Sequence, residues 1–261
     1  PDAKISWIYD VQTVSIDATP WPNAPWAGLP REMYQKKIDA AFWRESNGKI
    51  YLFHDDQYVR LSGSTADAGY PKPIAGNWIG LPGEFEQGID AAFWRKSNGK
   101  IYFFKGDQYV RLTGSTIDNG YPKPIAGNWN DLPSSFEQGI DAVFQHHGTE
   151  KIYFFKGGQY ARLTGSTMDA GYPKPIKGNF KGVPDFMEEG IHAAFWRGSN
   201  DKVYLFGKHS RRTLTEYVRF SDITQPVDVG YPKYVGGLSK GEAEALWRDP
   251  AQAELGVAAG E

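Results

Sequence analysis

The sequence lacks cysteine altogether, since none occurs among its 261 residues. This absence excludes disulfide bonds, thiolate metal ligands and cysteine nucleophiles. Long apolar runs are also missing, because no stretch approaches the roughly 20 residues of a membrane-spanning helix. The net charge is only −2, so the chain has no strong field that would attract nucleic acid or an anionic membrane. The fold must therefore depend on a packed core without covalent cross-links.

The motifs of common enzyme classes are missing as well, including G-x-S-x-G, H-E-x-x-H and the phosphate-binding P-loop. An enzyme needs a nucleophile, a base and an orienting group at different positions, whereas the distinctive residues of this chain are repeated. The sequence therefore predicts a protein that is not an enzyme. No signal peptide is recognisable, and the sequence leaves both a secreted and a cytoplasmic location open.

One phrase occurs four times in the chain. It begins at Ile38, Ile89, Ile140 and Ile191, as IDAAFW, IDAAFW, IDAVFQ and IHAAFW, so that each start lies 51 residues after the previous one. A period of about 50 residues with strand-like content indicates a propeller. Aromatic residues make up 15% of the chain, which also holds 30 glycines and 17 prolines, a composition typical of a turn-rich β protein.

Each repeat contains short runs of β-forming residues separated by turn residues. In the first repeat these runs predict an inner strand at 38–43, a second strand at 49–53 and a third at 57–61. A weaker, polar outer strand is predicted at 64–68. In the fourth repeat, residues 226–229 give the strongest version of this outer strand.

Prolines mark the connections between the strands. A Trp/Phe-x-x-Leu/Val-Pro segment opens each repeat, and an aromatic residue follows it at Tyr34, Phe85, Phe136 and Phe186. This pattern predicts a helical turn with a buried aromatic anchor, and the later Gly-Tyr-Pro predicts a second helical turn with proline at its first position. The predicted fold is an all-β, four-bladed propeller with short helical turns between the blades.

The repeats also predict the domain limits. A lead-in occupies 1–25, the propeller 26–236, with blades at 26–76, 77–127, 128–178 and 179–236, and a C-terminal helix and tail 237–261. A basic insertion at 208–216 interrupts the fourth repeat. The small residues of the inner strands, such as Ala41, are expected at a narrow axis, where larger side chains would collide.

In combination, IDAAFW, GKIYFFKGDQYVR and GYPKPI resemble the hemopexin repeat in all four units, over about 26–236. The chain is similar in character to bacterial photopexins and to plant seed albumins of this fold. The resemblance implies a four-bladed hemopexin-type propeller with a central channel. Animal members tie the first blade to the fourth with a disulfide. Without cysteine, closure is expected to depend on packing, by residues 1–25 or 239–248.

The resemblance further implies cations in the channel, held by backbone carbonyls. Carried over to this chain, the mouth positions are Asp39, Asp90, Asp141 and His192, and the deeper positions are Ala41, Ala92, Val143 and Ala194. Ca²⁺ and Na⁺ are the expected ions, because hard cations accept oxygen ligands, and a chloride is a further candidate. The alternative for the three aspartates is a hydrogen-bonded residue at the start of a strand.

The family also implies ligands at or near the channel mouth. A polyamine such as spermine would suit three carboxylates and exposed carbonyls. Haem would need an axial ligand, for which His146 and His147 are candidates, although an adjacent pair in a surface loop is the simpler interpretation. A homodimer would supply the second propeller that haem requires. The alternative function is recognition of a protein or a glycan through the segments that are not repeated.

Repeated arginines and aromatic residues have both a structural and a functional interpretation. The arginines are Arg60, Arg111, Arg162 and Arg219. We expect each to pair with a carboxylate or to lie over an aromatic ring, rather than to bind an anion or a glycan. The aromatic residues are Trp43, Trp94, Trp196, Tyr58, Tyr109, Tyr160 and Tyr217. We expect these to pack in the core rather than to bind a sugar.

Overall fold

The structure, a computed structural model, describes residues 26–208 and 215–236 of the chain. Those residues form four small antiparallel sheets with short helices between them, arranged as the blades of a propeller. The prediction of an all-β, four-bladed propeller is therefore confirmed. The predicted lead-in, most of the basic insertion and the predicted C-terminal helix lie outside the described residues. No helix in the described ranges is long and apolar enough to cross a membrane.

Each blade contains three long antiparallel strands, which follow one another from the centre of the propeller outward. The innermost strands are β1 Ala40–Arg44, β6 Ala91–Arg95, β11 Ala142–His146 and β16 Ala193–Arg197. The second strands are β2 Lys49–His54, β7 Lys100–Lys105, β12 Lys151–Lys156 and β17 Lys202–Lys208. The third strands are β3 Gln57–Ser62, β8 Gln108–Thr113, β13 Gln159–Thr164 and β18 Thr215–Phe220. In the first blade the inner strand begins two residues later than predicted, which leaves Asp39 just before it.

The outer edge of each blade is formed by strands of two residues that both pair with the third strand. Three blades have a first such strand, at β4 Thr65–Ala66, β9 Thr116–Ile117 and β14 Thr167–Met168. All four have a second, at β5 Lys72–Pro73, β10 Lys123–Pro124, β15 Lys174–Pro175 and β19 Lys233–Tyr234. The strand predicted at 226–229 is wrong, because these residues are irregular. Pro226 cannot donate to a ladder, and Val229 is fully exposed.

A short helix precedes the inner strand of each blade, as the sequence predicts. The helices are α1 Arg31–Gln35, α2 Gly83–Glu86, α3 Ser134–Glu137 and α4 Asp185–Glu188, each with proline at its N-cap. The third residue after the proline is buried in every blade, at Met33, Phe85, Phe136 and Met187. The aromatic anchor is therefore confirmed in two blades. In the fourth blade it is wrong, since Met187 is buried in place of Phe186.

The Gly-Tyr-Pro segments do not form the predicted helical turns. Their Tyr-Pro peptides are cis, and the chain continues directly into a short strand that pairs with the third strand, as Lys72 does with Tyr58. The Tyr70 ring packs edge-on against Tyr58, with 5.5 Å between the centroids. The φ angle of proline suits a helix start and an extended edge equally well, so local sequence could not decide between them.

The core consists of four apolar layers, one between each pair of neighbouring blades. Trp78 lies at the centre of the first layer. Its ring contacts Phe42, Tyr51 and Phe53 of the first blade and Phe103 of the second, at centroid distances between 4.9 and 6.2 Å. Because every blade is covered on both faces, four successive residues in the middle of the second strand are buried, as in β2, β7 and β12, instead of alternating with exposed ones.

Trp26 closes the ring between the fourth blade and the first. Its indole contacts four rings of the fourth blade at centroid distances between 5.6 and 6.0 Å, namely Phe195, Tyr204, Phe206 and Tyr217. A second link is the 3.1 Å hydrogen bond that Arg197 Nη1 donates to Ser64 Oγ. Trp26 precedes the first blade as Trp78 precedes the second. The closing joint is therefore built like the others and needs no disulfide.

Candidate functional site

The four inner strands surround a narrow axial cavity. Among the described strands, β1 pairs only with β2, so the backbone groups on its other edge face the axis, and the same holds for the other blades. The cavity has a volume of about 10 Å³, which is room for about one water molecule or a bare ion. Its lining includes the four deeper positions that the sequence indicates: Ala41, Ala92, Val143 and Ala194.

The three mouth aspartates bind hairpin turns that lie farther from the axis. Each carboxylate accepts the backbone N–H of the first turn residue after the second strand: Asp39 from Asp55 at 2.8 Å, Asp90 from Gly106 at 2.9 Å and Asp141 from Gly157 at 2.7 Å. None of the three carboxylates is part of the lining of the axial cavity. The three aspartate side chains therefore act as hydrogen-bonded residues at the start of the inner strands, which is the alternative that the sequence leaves open for them.

Lysines neutralise two of these aspartates. Lys105 Nζ donates to Asp90 at 2.9 Å, and Lys156 Nζ donates to Asp141 at 2.7 Å. The fourth blade has no such pair at the matching positions, because His192 replaces the aspartate and Gly207 replaces the lysine. A Cβ on Gly207 would come within 2.7 Å of the Met187 side chain, so the helix packs where the lysine would begin.

The first blade departs from this pattern at two adjacent positions. His54 stands where the next two blades have lysine, and Asp55 stands where they have glycine. His54 Nδ1 lies 3.2 Å from Asp39 Oδ2, and its Nε2 lies 3.3 Å from Asp55 Oδ2. Sequence reasoning missed this cluster, although the break in the repeat at His54-Asp55 was visible. The signal is a difference between the repeats at these two positions, whereas the repeat pattern itself reports only what the blades share.

Tryptophans close the end of the channel opposite the aspartates. Trp43, Trp94 and Trp196 occupy matching places, and the third blade has Gln145 instead. The His147 ring fills the resulting gap, stacked on Trp196 at 4.1 Å and lying 5.4 Å from Trp94 and 6.1 Å from Trp43. Burial, with a smaller effect from Lys96 and His146, lowers the pKa of His147 from 6.5 to about 4.

The interpretation of His146-His147 as a surface pair is therefore wrong for His147, which is 6% exposed. Its enclosure by tryptophans leaves no space for a porphyrin on the ring. His146 Nδ1 instead accepts from the Thr149 backbone N–H at 3.3 Å. The two neighbouring rings thus have separate environments and do not form one axial site.

The repeated arginines hold the blade edges together, as predicted. Arg60 Nε donates to Asp67 Oδ2 at 2.5 Å, and its guanidinium lies over the Tyr70 ring, 5.1 Å from the centroid. Burial works against ionisation of Asp67, but hydrogen bonds from Ser62 and Arg60 outweigh it and lower its pKa. The same arrangement surrounds Arg111, Arg162 and Arg219. The repeated tyrosines of the third strands are buried, which confirms their packing role.

Comparison with known proteins identifies the family of the repeats. The hemopexin family model matches residues 38–83, 89–134 and 140–185, more than half of the chain. Human vitronectin is 33% identical over 150 residues, which are 56% of this chain and 30% of vitronectin. Pea albumin-2 is 44% identical over 138 residues, 49% of this chain and 58% of the albumin. The match therefore spans less than two thirds of either relative.

A solved structure has the same fold. It is that of a chickpea (Cicer arietinum) lectin with two metal-binding sites, with a TM-score of 0.60 and 24% identity, covering 86% of this chain and 99% of that one. At this level of identity the likeness concerns the fold alone.

Proposed function

The chain belongs to the hemopexin family, and from that premise we propose that it is a non-catalytic binding protein with a cation in its central channel. The observation that supports the proposal is the axial cavity, which has room for one ion and is bounded by four unpaired strand edges. The chickpea lectin of the same fold has two metal-binding sites. Its example supports metal binding here without identifying the ion.

The channel ligands would be backbone carbonyls. Ala41, Ala92, Val143 and Ala194 carry no side-chain ligand atom, so only their main-chain groups can bind an ion. Carbonyls of the mouth positions Asp39, Asp90, Asp141 and His192 would form the outer set. Oxygen ligands suit Ca²⁺ or Na⁺, and a chloride would have to use N–H groups of the same strand edges.

Thermal unfolding of the chelator-treated protein, with and without Ca²⁺ or Na⁺, tests the channel ion. We expect the cation to raise the unfolding temperature, since a ligand at 100 times its Kd adds about 2.7 kcal/mol to stability. Ala92→Val narrows the axis and should weaken this response. Ala161→Val is the matched control, because it adds the same atoms in a third strand where other blades already have Val59 and Val110. No cation response in the parent protein would contradict the proposal.

A polyamine at the channel mouth would have to bind carboxylates that already form ion pairs and hydrogen bonds within the protein. Spermine would have to displace Lys105 from Asp90 and Lys156 from Asp141. Titration with spermine, followed by tryptophan fluorescence, tests this ligand, and Soret absorbance tests haem. If Asp39→Ala combined with Asp141→Ala leaves spermine affinity unchanged, a polyamine site at the mouth is excluded.

Glycan recognition is the second candidate, supported by the lectin of the same fold. The segments that the sequence indicates for it, 1–25, 208–216 and the C-terminal helix, lie mostly outside the described residues. Binding to an immobilised glycan set, measured with and without the chelator, would separate it from a function of the channel ion alone.

A further inference from the structure

The first blade contains a cluster of metal-ligand side chains beside the channel mouth. We propose that Asp39, His54 and Asp55 bind a divalent transition-metal ion of the Zn²⁺ type, at a site distinct from the axial cavity. The carboxylate of Asp39 faces the hairpin turn, to which it is hydrogen-bonded, and none of the three residues lines the axial cavity. The site is therefore formed by side chains, whereas the axis offers backbone groups.

The spacing of the three side chains suits one ion. Each offers one ligand atom, and these atoms all lie within 4.8 Å of one another. The distance from His54 Nε2 to Asp55 Oδ2 is 3.3 Å. Tetrahedral zinc with bonds of about 2.0 Å has ligand–ligand distances of about 3.3 Å. Two carboxylates also balance the charge of a divalent ion, and an imidazole nitrogen favours zinc-like metals over Ca²⁺ or Mg²⁺.

The His54 side chain is a second, independent observation that points to a cation ligand. The residue is 8% exposed, and neither ring nitrogen has a hydrogen-bond partner of proper geometry among the described residues, although each lies near a carboxylate oxygen. A neutral imidazole has one N–H and one lone pair, so one of the two buried ring nitrogens is available as a ligand atom. A metal ion bound to this nitrogen and to a nearby carboxylate oxygen would satisfy both groups.

The sister blades show what the cluster lacks. At the position of His54, Lys105 and Lys156 supply a positive charge to the aspartate of their own blade. The first blade has His54 in place of this lysine and adds a second carboxylate at Asp55. The charge of Asp39 is met instead by Lys37 from the preceding segment, an exposed side chain that an ion from solution could replace.

The site is reachable from solvent through a pocket of about 330 Å³, which His54 and Asp55 line together with Glu32, Asp56 and Gln57. This space has room for a water ligand on the ion. Lys37 Nζ lies 3.1 Å from Asp39 Oδ1 and Lys36 Nζ lies 3.9 Å from Asp55 Oδ2. Both lysines are largely exposed, so they can turn into solvent when a metal ion binds.

Replacing the cluster with the residues of the next two blades tests the proposal. The variant His54→Lys combined with Asp55→Gly recreates the Lys105-Gly106 pair, which this fold already accommodates. We expect calorimetric titration with Zn²⁺ to show one site in the parent protein. Affinity should fall by more than about 100-fold in the variant, since even loss of an outer-shell partner costs 10–100-fold. Co²⁺ should give a visible absorption band in the parent protein and none in the variant.

Two controls separate this site from other sources of binding. His146→Arg introduces the residue of the other three blades at an accessible histidine and should leave zinc binding unchanged. The response of unfolding temperature to Ca²⁺ or Na⁺ should persist in the double variant, because it reports the axial cavity. The proposal is overturned if the parent protein shows no zinc site, or if the double variant binds zinc as tightly.

Discussion

The role of His147 depends on the absence of a fourth tryptophan from the ring formed by Trp43, Trp94 and Trp196. The His147 side chain occupies space that a fourth tryptophan would take, and Gln145, which replaces that tryptophan, accepts the Lys96 N–H at 2.8 Å and donates to the Glu150 carbonyl at 3.0 Å. The tight packing at this end of the channel also involves Gly198, where a Cβ would lie 2.3 Å from Trp43. Repeated arginines could be assigned from sequence because each has its partner nearby. His147 could not, because its neighbours come from three other strands.

Acid should destabilise the protein through His147. Burial lowers its pKa to about 4 from 6.5, so between these values the unfolded chain binds a proton that the folded protein does not. Stability should therefore fall as pH decreases from about 6.5 to about 4. His147→Phe keeps an aromatic ring without a titrating group and should lose much of this dependence. Denaturant unfolding across this pH range measures it, and identical profiles for both proteins would contradict the assignment.

At the scale of elements, the three long strands of each blade were predictable because apolar runs and tight turns alternate within one repeat. Two elements were not. The Gly-Tyr-Pro segment was misassigned because proline is compatible with both a helix start and a strand edge. The outer strand at 226–229 was misassigned because its apolar residues suggested pairing along one strand. Instead, Val227 N–H bonds to Lys181 O and Asp228 N–H bonds to Arg219 O, so no ladder forms.

Outer edges depend on an arginine–aspartate pair in each blade. In the second blade, Arg111 Nε donates to Asp118 Oδ2 at 2.5 Å. A double-mutant cycle with Arg111→Ala and Asp118→Ala should give a coupling of about 0.5–1 kcal/mol, since the pair is partly exposed. Burial opposes ionisation of Asp118, but hydrogen bonds from Thr113 and Arg111 hold its pKa below its usual value. The coupling should therefore be present above about pH 4 and lost in stronger acid. Zero coupling at neutral pH would contradict this role.

For the whole molecule, the number of blades followed from the 51-residue period, and the narrow axis followed from the alanines of the inner strands. How the ring closes could not be predicted. Trp26 and its partners Phe195 and Tyr204 are distant in the sequence, and nothing local indicates that they meet. The cluster of Asp39, His54 and Asp55 was predictable only in part. The break in the repeat marks His54-Asp55, but the approach of this turn to Asp39 depends on the folded structure.

Loss of the Trp26 ring should open the joint between the fourth and first blades. Trp26→Ala is expected to lower the free energy of unfolding by about 3–5 kcal/mol, as for other buried large-to-small changes. Trp26→Phe should cost less, because Phe180 already fills the matching place between the third and fourth blades. Trp78→Ala is the reference for an internal joint, and denaturant unfolding compares all three. Full stability in Trp26→Ala would show that another segment closes the ring.

The equivalence of the Trp26, Trp78 and Trp129 joints means that the ring has no seam. The contacts between neighbouring blades therefore do not depend on which blade comes first in the chain. A circularly permuted gene that opened the chain before Trp129 would encode the same set of contacts between blades, with only the covalent order changed.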